Sequence, residues 1–212
     1  MEYAYDAANN LQCTAVRMNS AYFANPGTPA CQLSTPGATA PNNMPDQITY
    51  DTHDAANQLI KVTQGYGTPA QADYVTATYW PNGHVASVTD AQNNMTNYSY
   101  DGHDRLSQTC FPLPTQGAGA CDPGNIETYL YNSTNTLAQK TLRDGTPVKY
   151  FYDNLNRVTQ KDFHNTPNFD VTYNYDNLSR LLYAHSGGAG VGVDYAYDGL
   201  SRVVSETRSG LR

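Results

Sequence analysis

Tyr173-Asn174-Tyr175-Asp176-Asn177-Leu178-Ser179-Arg180-Leu181 decides how the rest of the chain is read, because near copies flank it on both sides. Downstream stands Tyr195-Ala196-Tyr197-Asp198-Gly199-Leu200-Ser201-Arg202-Val203, and upstream Tyr150-Phe151-Tyr152-Asp153-Asn154-Leu155-Asn156-Arg157-Val158. Asp153, Asp176 and Asp198 are 23 and 22 residues apart, a period at which tandem units build elongated or wound architectures. Farther out, Tyr98-Ser99-Tyr100-Asp101-Gly102-His103-Asp104-Arg105-Leu106 keeps Tyr100, Asp101 and Arg105. Tyr129-Leu130-Tyr131-Asn132, ending in Leu137, is a worn copy with Thr136 in the place of arginine. Tyr3-Ala4-Tyr5-Asp6 with Leu11 opens the chain, His53-Asp54 with Leu59 is less regular, and Tyr79-Trp80-Pro81-Asn82-Gly83-His84-Val85 is a copy with altered turn chemistry. The loose count is about eight units, and little else remains.

One unit explains the others. Tyr173 and Tyr175 share a strand face by the period-two rule, with Asn174 on the other. Asp176 opens a turn, because its carboxylate can accept backbone N–H groups two residues on. Leu181, Leu182 and Tyr183 then resume the sheet, and the glycine-rich stretch Ser186–Gly192 turns it again. Arg180 lies four positions beyond Asp176, as Arg157 does beyond Asp153, Arg202 beyond Asp198 and Arg105 beyond Asp101. The guanidinium can reach back to the carboxylate or over a tyrosine ring. An exposed pair adds only ~0.2–1 kcal/mol, so its recurrence points to turn geometry. Aromatic cross-strand packing, at ~0.5–1.5 kcal/mol per pair beyond area burial, is the larger contribution.

The 212 residues carry 18 tyrosines, 16 glycines and 12 prolines beside five phenylalanines and one tryptophan, which suits a thin, partly wet sheet better than a deep core. The packed face is expected to hold the tyrosines, leaving an Asn, Ser and Thr face wet. Asp54–Val62 taken alone reads as a short helix, but the matching segments elsewhere are turns and overrule it. Pro-, Gly- and Asn-rich insertions are expected near 22–46 and 112–124 within one repeat region spanning 1–212. Formal charge is −7, with 12 basic and 19 acidic residues and no basic patch, which excludes nucleic acid as a partner. No apolar run approaches ~18 residues, so no membrane span is expected. No signal peptide opens the chain, which reads as an internal piece of a longer protein.

Cys13 and Cys31 flank the first insertion, Cys110 and Cys121 the second. Four cysteines allow three connectivities. The symmetric placement favours Cys13–Cys31 with Cys110–Cys121, against four free thiols. These spacings exceed the Cys-x₂₋₄-Cys of zinc sites, and His53, His84, His103, His164 and His185 do not cluster, so neither metal nor cofactor is expected. There is no Gly-x-Ser-x-Gly elbow. The best carboxylates, Asp101, Asp153, Asp176 and Asp198, are copies of one another, whereas an active site is unique; no catalytic residue is assigned.

At these residues the chain resembles the RHS or YD-repeat family of bacterial polymorphic toxins, toxin-complex shells and animal teneurins. The match is carried by Tyr152-Asp153…Arg157-Val158, Tyr175-Asp176…Arg180-Leu181, Tyr197-Asp198…Arg202-Val203 and Tyr100-Asp101…Arg105-Leu106, with Tyr5 and Asp6 as an outlying copy. The resemblance implies an all-β fold, a curved antiparallel sheet of tandem hairpins forming an arc of a hollow shell. It further implies a non-catalytic role in enclosing or displaying a toxin, with the remaining repeats and a C-terminal effector of a longer, secreted or surface bacterial protein as partners. Asp122-Pro123-Gly124 resembles an element near the family's cleavage region but sits inside a cysteine-flanked loop between repeats. The alternative is an adhesion module whose tyrosine rows bind a cell-surface glycan or protein. Exposed edge strands predict self-association of so short an array.

Overall fold

The computed structural model describes residues 1–18, 27–34, 46–163, 170–187 and 191–210. His164, most of the first expected insertion and part of the Ser186–Gly192 turn lie outside the described residues. Sixteen strands are described: β1 (Glu2–Tyr5), β2 (Leu11–Val16), β3 (Gln47–His53), β4 (Leu59–Gln64), β5 (Ala72–Tyr79), β6 (Val85–Asp90), β7 (Met95–Tyr100) and β8 (Leu106–Pro112), then β9 (Cys121–Tyr131), β10 (Leu137–Thr141), β11 (Pro147–Tyr152), β12 (Val158–Asp162), β13 (Val171–Tyr175), β14 (Leu181–Ser186), β15 (Val191–Tyr197) and β16 (Val203–Ser209). They lie in sequence order in one antiparallel sheet, so the fold is all-β and built of tandem hairpins, as the repeats predict. β9 begins at Cys121 and takes up the last residues of the segment expected as loop over 112–124.

The hairpins share one turn. In the last three, the aspartate N–H donates to the carbonyl four residues on, and the N–H three residues on donates back to the aspartate carbonyl. Asn156, Ser179 and Ser201, at that third position, have φ of 58°, 63° and 65°. A left-handed residue closing a short turn makes a bulge and lets the strands leave with their natural twist. The register shifts just before each aspartate, so that Tyr152 faces Val158, Tyr175 faces Leu181 and Tyr197 faces Val203. Where the chain reads Trp80-Pro81-Asn82-Gly83-His84, the same two backbone bonds form and Gly83 supplies the positive φ, 88°.

Pairing between hairpins is also constant. The seventh residue after one turn-opening residue faces the fourth before the next: Cys13 faces Tyr50, Lys61 faces Thr76, Gln139 faces Lys149, Gln160 faces Thr172 and Tyr183 faces Asp194. A one-residue slip would turn every tyrosine to the other face, so this register keeps one face in common.

The chain divides into two compact units: Met1–Ser99 with Cys110–Gly124, and Tyr100–Thr109 with Asn125–Arg212. The first holds a small core of Cys13, Ala15, Ala30 and Ile48, with Ala4, Cys31, Leu33, Tyr50 and Tyr66 packed on it. Tyr50 and Tyr66 stack with ring centroids 4.4 Å apart. Arg17 fastens residues 27–34 to this core. It ion-pairs with Glu2 at 2.7 Å and Asp46 at 2.8 Å and donates to the carbonyls of Thr28, Pro29 and Gln32. Burial opposes ionisation of Asp46, yet bonds from Ser34, Met18 and Arg17 hold its carboxyl below the usual range. In the second unit most strand residues are half-buried, as expected of a thin sheet.

The second face corrects the sequence reading in one respect. Asn174 and Ala196 are exposed between their tyrosines, but so are Leu130 and Phe151 at matching positions. The wet face is therefore not confined to Asn, Ser and Thr.

Candidate functional site: the junction between repeats

Asp153, Asp176 and Asp198 end their strands and spend both carboxylate oxygens within the turn. One oxygen of Asp176 accepts from the N–H of Leu178 and of Arg180, at 2.8 and 3.0 Å, and the other from Arg180 Nε at 2.6 Å. Asp153 and Asp198 repeat this with Leu155 and Arg157 and with Leu200 and Arg202. Asp101 does so with His103 and Arg105. Hydrogen bonds to the charged form favour it. The Arg105 side chain, joined by the turn N–H groups, pushes the Asp101 carboxyl down to about 2. The Arg157, Arg180 and Arg202 N–H groups foremost hold Asp153, Asp176 and Asp198 below the ordinary carboxylate value.

Each interior arginine then reaches forward. Arg157 Nη1 donates to the carbonyl of Asp176 at 3.0 Å and to the hydroxyl of Ser179 at 3.2 Å, and its guanidinium lies 4.8 Å from the Tyr175 ring centroid. Arg180 meets Asp198, Ser201 and Tyr197 in the same way, with 4.7 Å to the ring. Arg105 meets the Asn135 amide oxygen and the Tyr131 ring at 4.5 Å. The tyrosine hydroxyl closes the contact by donating back past the arginine: Tyr175 to the Val158 carbonyl at 3.1 Å, Tyr197 to Leu181 at 2.9 Å and Tyr131 to Leu106 at 2.9 Å. Tyr152 donates likewise to Leu137 at 2.8 Å, and Tyr79 to Leu59 at 2.7 Å. Burial pushes the phenols of Tyr152 and Tyr175 up, which keeps them protonated donors.

The remaining motif residues sit at the same positions with different partners. Tyr100 ends β7 and is half-buried. Asp6 is held below the usual carboxylate range, first by the Asn10 side chain, and Asn10 also donates forward to Asn57 at 2.9 Å. Gln58 reaches the Gly83 carbonyl at 3.3 Å. Asn10 and Gln58 thus do the forward work of arginine, and Asn57, Asn135, Ser179 and Ser201 receive it. The sequence reading named none of these acceptors; the signal was a small polar residue three places after each anchor. It also missed Arg17, and Lys161, which lies 5.8 Å from the Tyr150 ring and 5.7 Å from the Tyr173 ring.

The structure joins Cys13 to Cys31 and Cys110 to Cys121. The first bond lies in the core, with Cys13 fully buried. Beside the second, Asn93 donates to the Gly117 carbonyl and accepts the Gly119 N–H at its own carbonyl. Among the described residues no group of three or more His, Cys, Asp or Glu converges where a metal ion would be held. No helix among them is long and apolar enough to cross a membrane.

Tandem Tyr-Asp hairpins joined through one repeated side-chain contact define an RHS/YD-repeat-like all-β protein. The RHS Repeat family model matches residues 79–110. No curated protein matches the chain. Among solved structures it is similar in fold to the TcdB2-TccC3-Cdc42 crystal structure, at 16% identity and TM-score 0.57, over 96% of this chain and 11% of that one. It is similar also to TcdB2-TccC3 without its hypervariable C-terminal region, at 12% identity and TM-score 0.55, over 96% of this chain and 12% of that one. The chain thus spans little more than a tenth of the length of the structures it matches.

Proposed function

We propose that this chain is a non-catalytic structural segment of an RHS-type shell that encloses or displays a toxin, serving toxin delivery or competition between cells. One observation carries the reading: the best-placed carboxylates recur as equivalent copies, each consumed within its own turn, while Arg105, Arg157 and Arg180 recur as the links from one hairpin to the next. The fold likeness to TcdB2-TccC3 structures supports it. Its partners are then further repeats and an effector of a longer secreted or surface-displayed bacterial polypeptide. Limited proteolysis of the native translation product containing these repeats tests the role. An effector segment that resists protease, and becomes sensitive when Arg157→Ala and Arg180→Ala loosen the array, is the expected result. An associated sequence digested at once in the unmodified protein contradicts it.

A second reading, glycan adhesion, finds support at one place. The exposed Trp80 borders a groove with Thr78, Tyr79, Asn82, Gln58 and Lys61, an aromatic platform among hydrogen-bonding groups. Tyr79, Tyr131, Tyr152, Tyr175 and Tyr197 are poor candidates, since their hydroxyls are engaged between hairpins. Trp80 is the only tryptophan, so its fluorescence during titration with oligosaccharides tests this reading directly. A saturable change favours adhesion, and an unresponsive signal removes it.

A further inference from the structure

The junction between the Asn132 and Asp153 turns is built without an arginine. Thr136 stands at the position of Arg105, Arg157 and Arg180, and its hydroxyl stays within its own turn, accepting from Asn132 Nδ2 at 2.9 Å and lying 3.1 Å from the Thr134 hydroxyl. The groups that receive arginine elsewhere are nevertheless all present. Tyr152, Asp153 and Asn156 match Tyr175, Asp176 and Ser179, the ring, carbonyl and side chain that take Arg157. Tyr152 keeps its own half of the contact, the 2.8 Å bond to the Leu137 carbonyl. Among the described residues no cation lies over the Tyr152 ring and none bonds the Asn156 side chain. A groove of about 450 Å³ opens here, bordered by Thr136, Phe151, Tyr152, Asp153 and Asn156. A groove also opens where Gln58 replaces arginine, but Gln58 spans it to the Gly83 carbonyl at 3.3 Å.

We propose that this groove binds an arginine side chain of a partner polypeptide, which completes the junction from outside the chain. The guanidinium lies over the Tyr152 ring and donates to the Asp153 carbonyl and the Asn156 amide oxygen, the counterparts of the contacts Arg157 makes one hairpin on. A planar fork serves the ring and both acceptors at once, where an ammonium meets fewer of them. Phe151, 46% exposed, offers apolar surface to the aliphatic stem. The Asp153 carboxylate is spent on Arg157, so recognition rests on the ring and neutral oxygens. Lys149 also borders the groove and opposes a second cation, while the formal charge of −7 on the whole chain draws cationic partners to it. The recognised atoms all belong to the arginine side chain, and the arginines already held this way are parts of a polypeptide, which favours a polypeptide over the free amino acid. The proposal rests on the junction geometry and makes no use of the shell reading, which stands or falls separately.

Titration of the 212-residue chain with Nα-acetyl-L-arginine amide, followed by backbone, side-chain amide and aromatic NMR shifts, tests it. Saturable shifts centred on Tyr152 and Asn156 are expected, with Nα-acetyl-L-lysine amide binding roughly tenfold more weakly. Asn156→Gly suits the φ of 58° and removes the amide, so it weakens binding, whereas Asn156→Ser, which copies Ser179, retains it. Thr136→Arg supplies the guanidinium from within the chain and abolishes binding of the probe. Circular dichroism confirms that the variants remain folded. No saturable shift in the unmodified chain, shifts centred on other residues, equal binding of the two amides, binding undiminished in Thr136→Arg, or binding of free L-arginine without that of the capped amide overturns the proposal.

Discussion

The Arg157 guanidinium lies 4.8 Å from the Tyr175 ring centroid while its Nε holds Asp153 at 2.7 Å, so one side chain belongs to two successive hairpins. The carboxylate orients the guanidinium, and the ring and the Asp176 carbonyl receive it. Lysine has the charge but not the planar fork needed to serve all three. Arg157→Lys should therefore lower the unfolding midpoint nearly as much as Arg157→Ala. The cation–π share is ~0.5–1 kcal/mol, and urea unfolding of both variants measures it.

Tyr175→Phe keeps the ring and removes the bond to the Val158 carbonyl. The expected cost is ~0.5–1.5 kcal/mol, the ordinary net worth of one hydrogen bond. In a double-mutant cycle with Arg157→Ala the two changes should couple, because they act on one contact.

Arg17→Ala should be far more damaging. It leaves the Asp46 carboxylate buried without its cation and releases three carbonyls, and breaking a buried pair this way costs ~3–5 kcal/mol. Calorimetry should show the loss, and Asp46→Asn made with Arg17→Met should recover part of it.

The two disulfides enclose separations of 18 and 11 residues. Replacing either pair by alanine should cost ~2–4 kcal/mol by releasing the unfolded loop. The Cys13–Cys31 pair should cost more, because the alanine at position 13 also leaves a void in the core. Urea unfolding of the two double variants compares them.

Acid should loosen the turns. The Asp101 carboxyl titrates at about 2 in the fold and at ~3.9 when unfolded, so the unfolded chain binds its proton first as pH drops. Its stabilisation is complete above the unfolded value and disappears as pH falls through about 2. Asp6, Asp153, Asp176 and Asp198 shift the same way. The thermal midpoint should hold steady down to about pH 5 and fall below about pH 4, with a shallower fall in Asp101→Asn.

The turn was legible in the sequence because it is local: an aspartate, a small polar residue and an arginine within five positions contain their own hydrogen bonds. The hairpins at Asp101, Asp153, Asp176 and Asp198 carry it in full, those at Asp6, Asp54 and Asn132 were read as worn copies, and Trp80–His84 as a copy with altered turn chemistry. The same turn at Asp90–Asn94 went unread. The forward half of the junction was not legible. It depends on which residue of the next hairpin comes alongside, and the insertion between Asp6 and Asp54 hides that register. Arg17 was obscure for the same reason, since its partners Glu2, Thr28, Pro29 and Asp46 are brought together only by the folded loop. Asn10 and Gln58 were missed because they replace arginine with shorter amides that still span the gap.

Neighbouring hairpins are physically joined in one register. Nuclear Overhauser contacts across β12–β13 and β14–β15 test it most directly. Cross-strand contacts of Gln160 with Thr172 and of Tyr183 with Asp194 are expected, together with contacts between the Arg157 side chain and the Tyr175 ring. A spectrum showing contacts only within each hairpin, with none from one hairpin to the next, would contradict it.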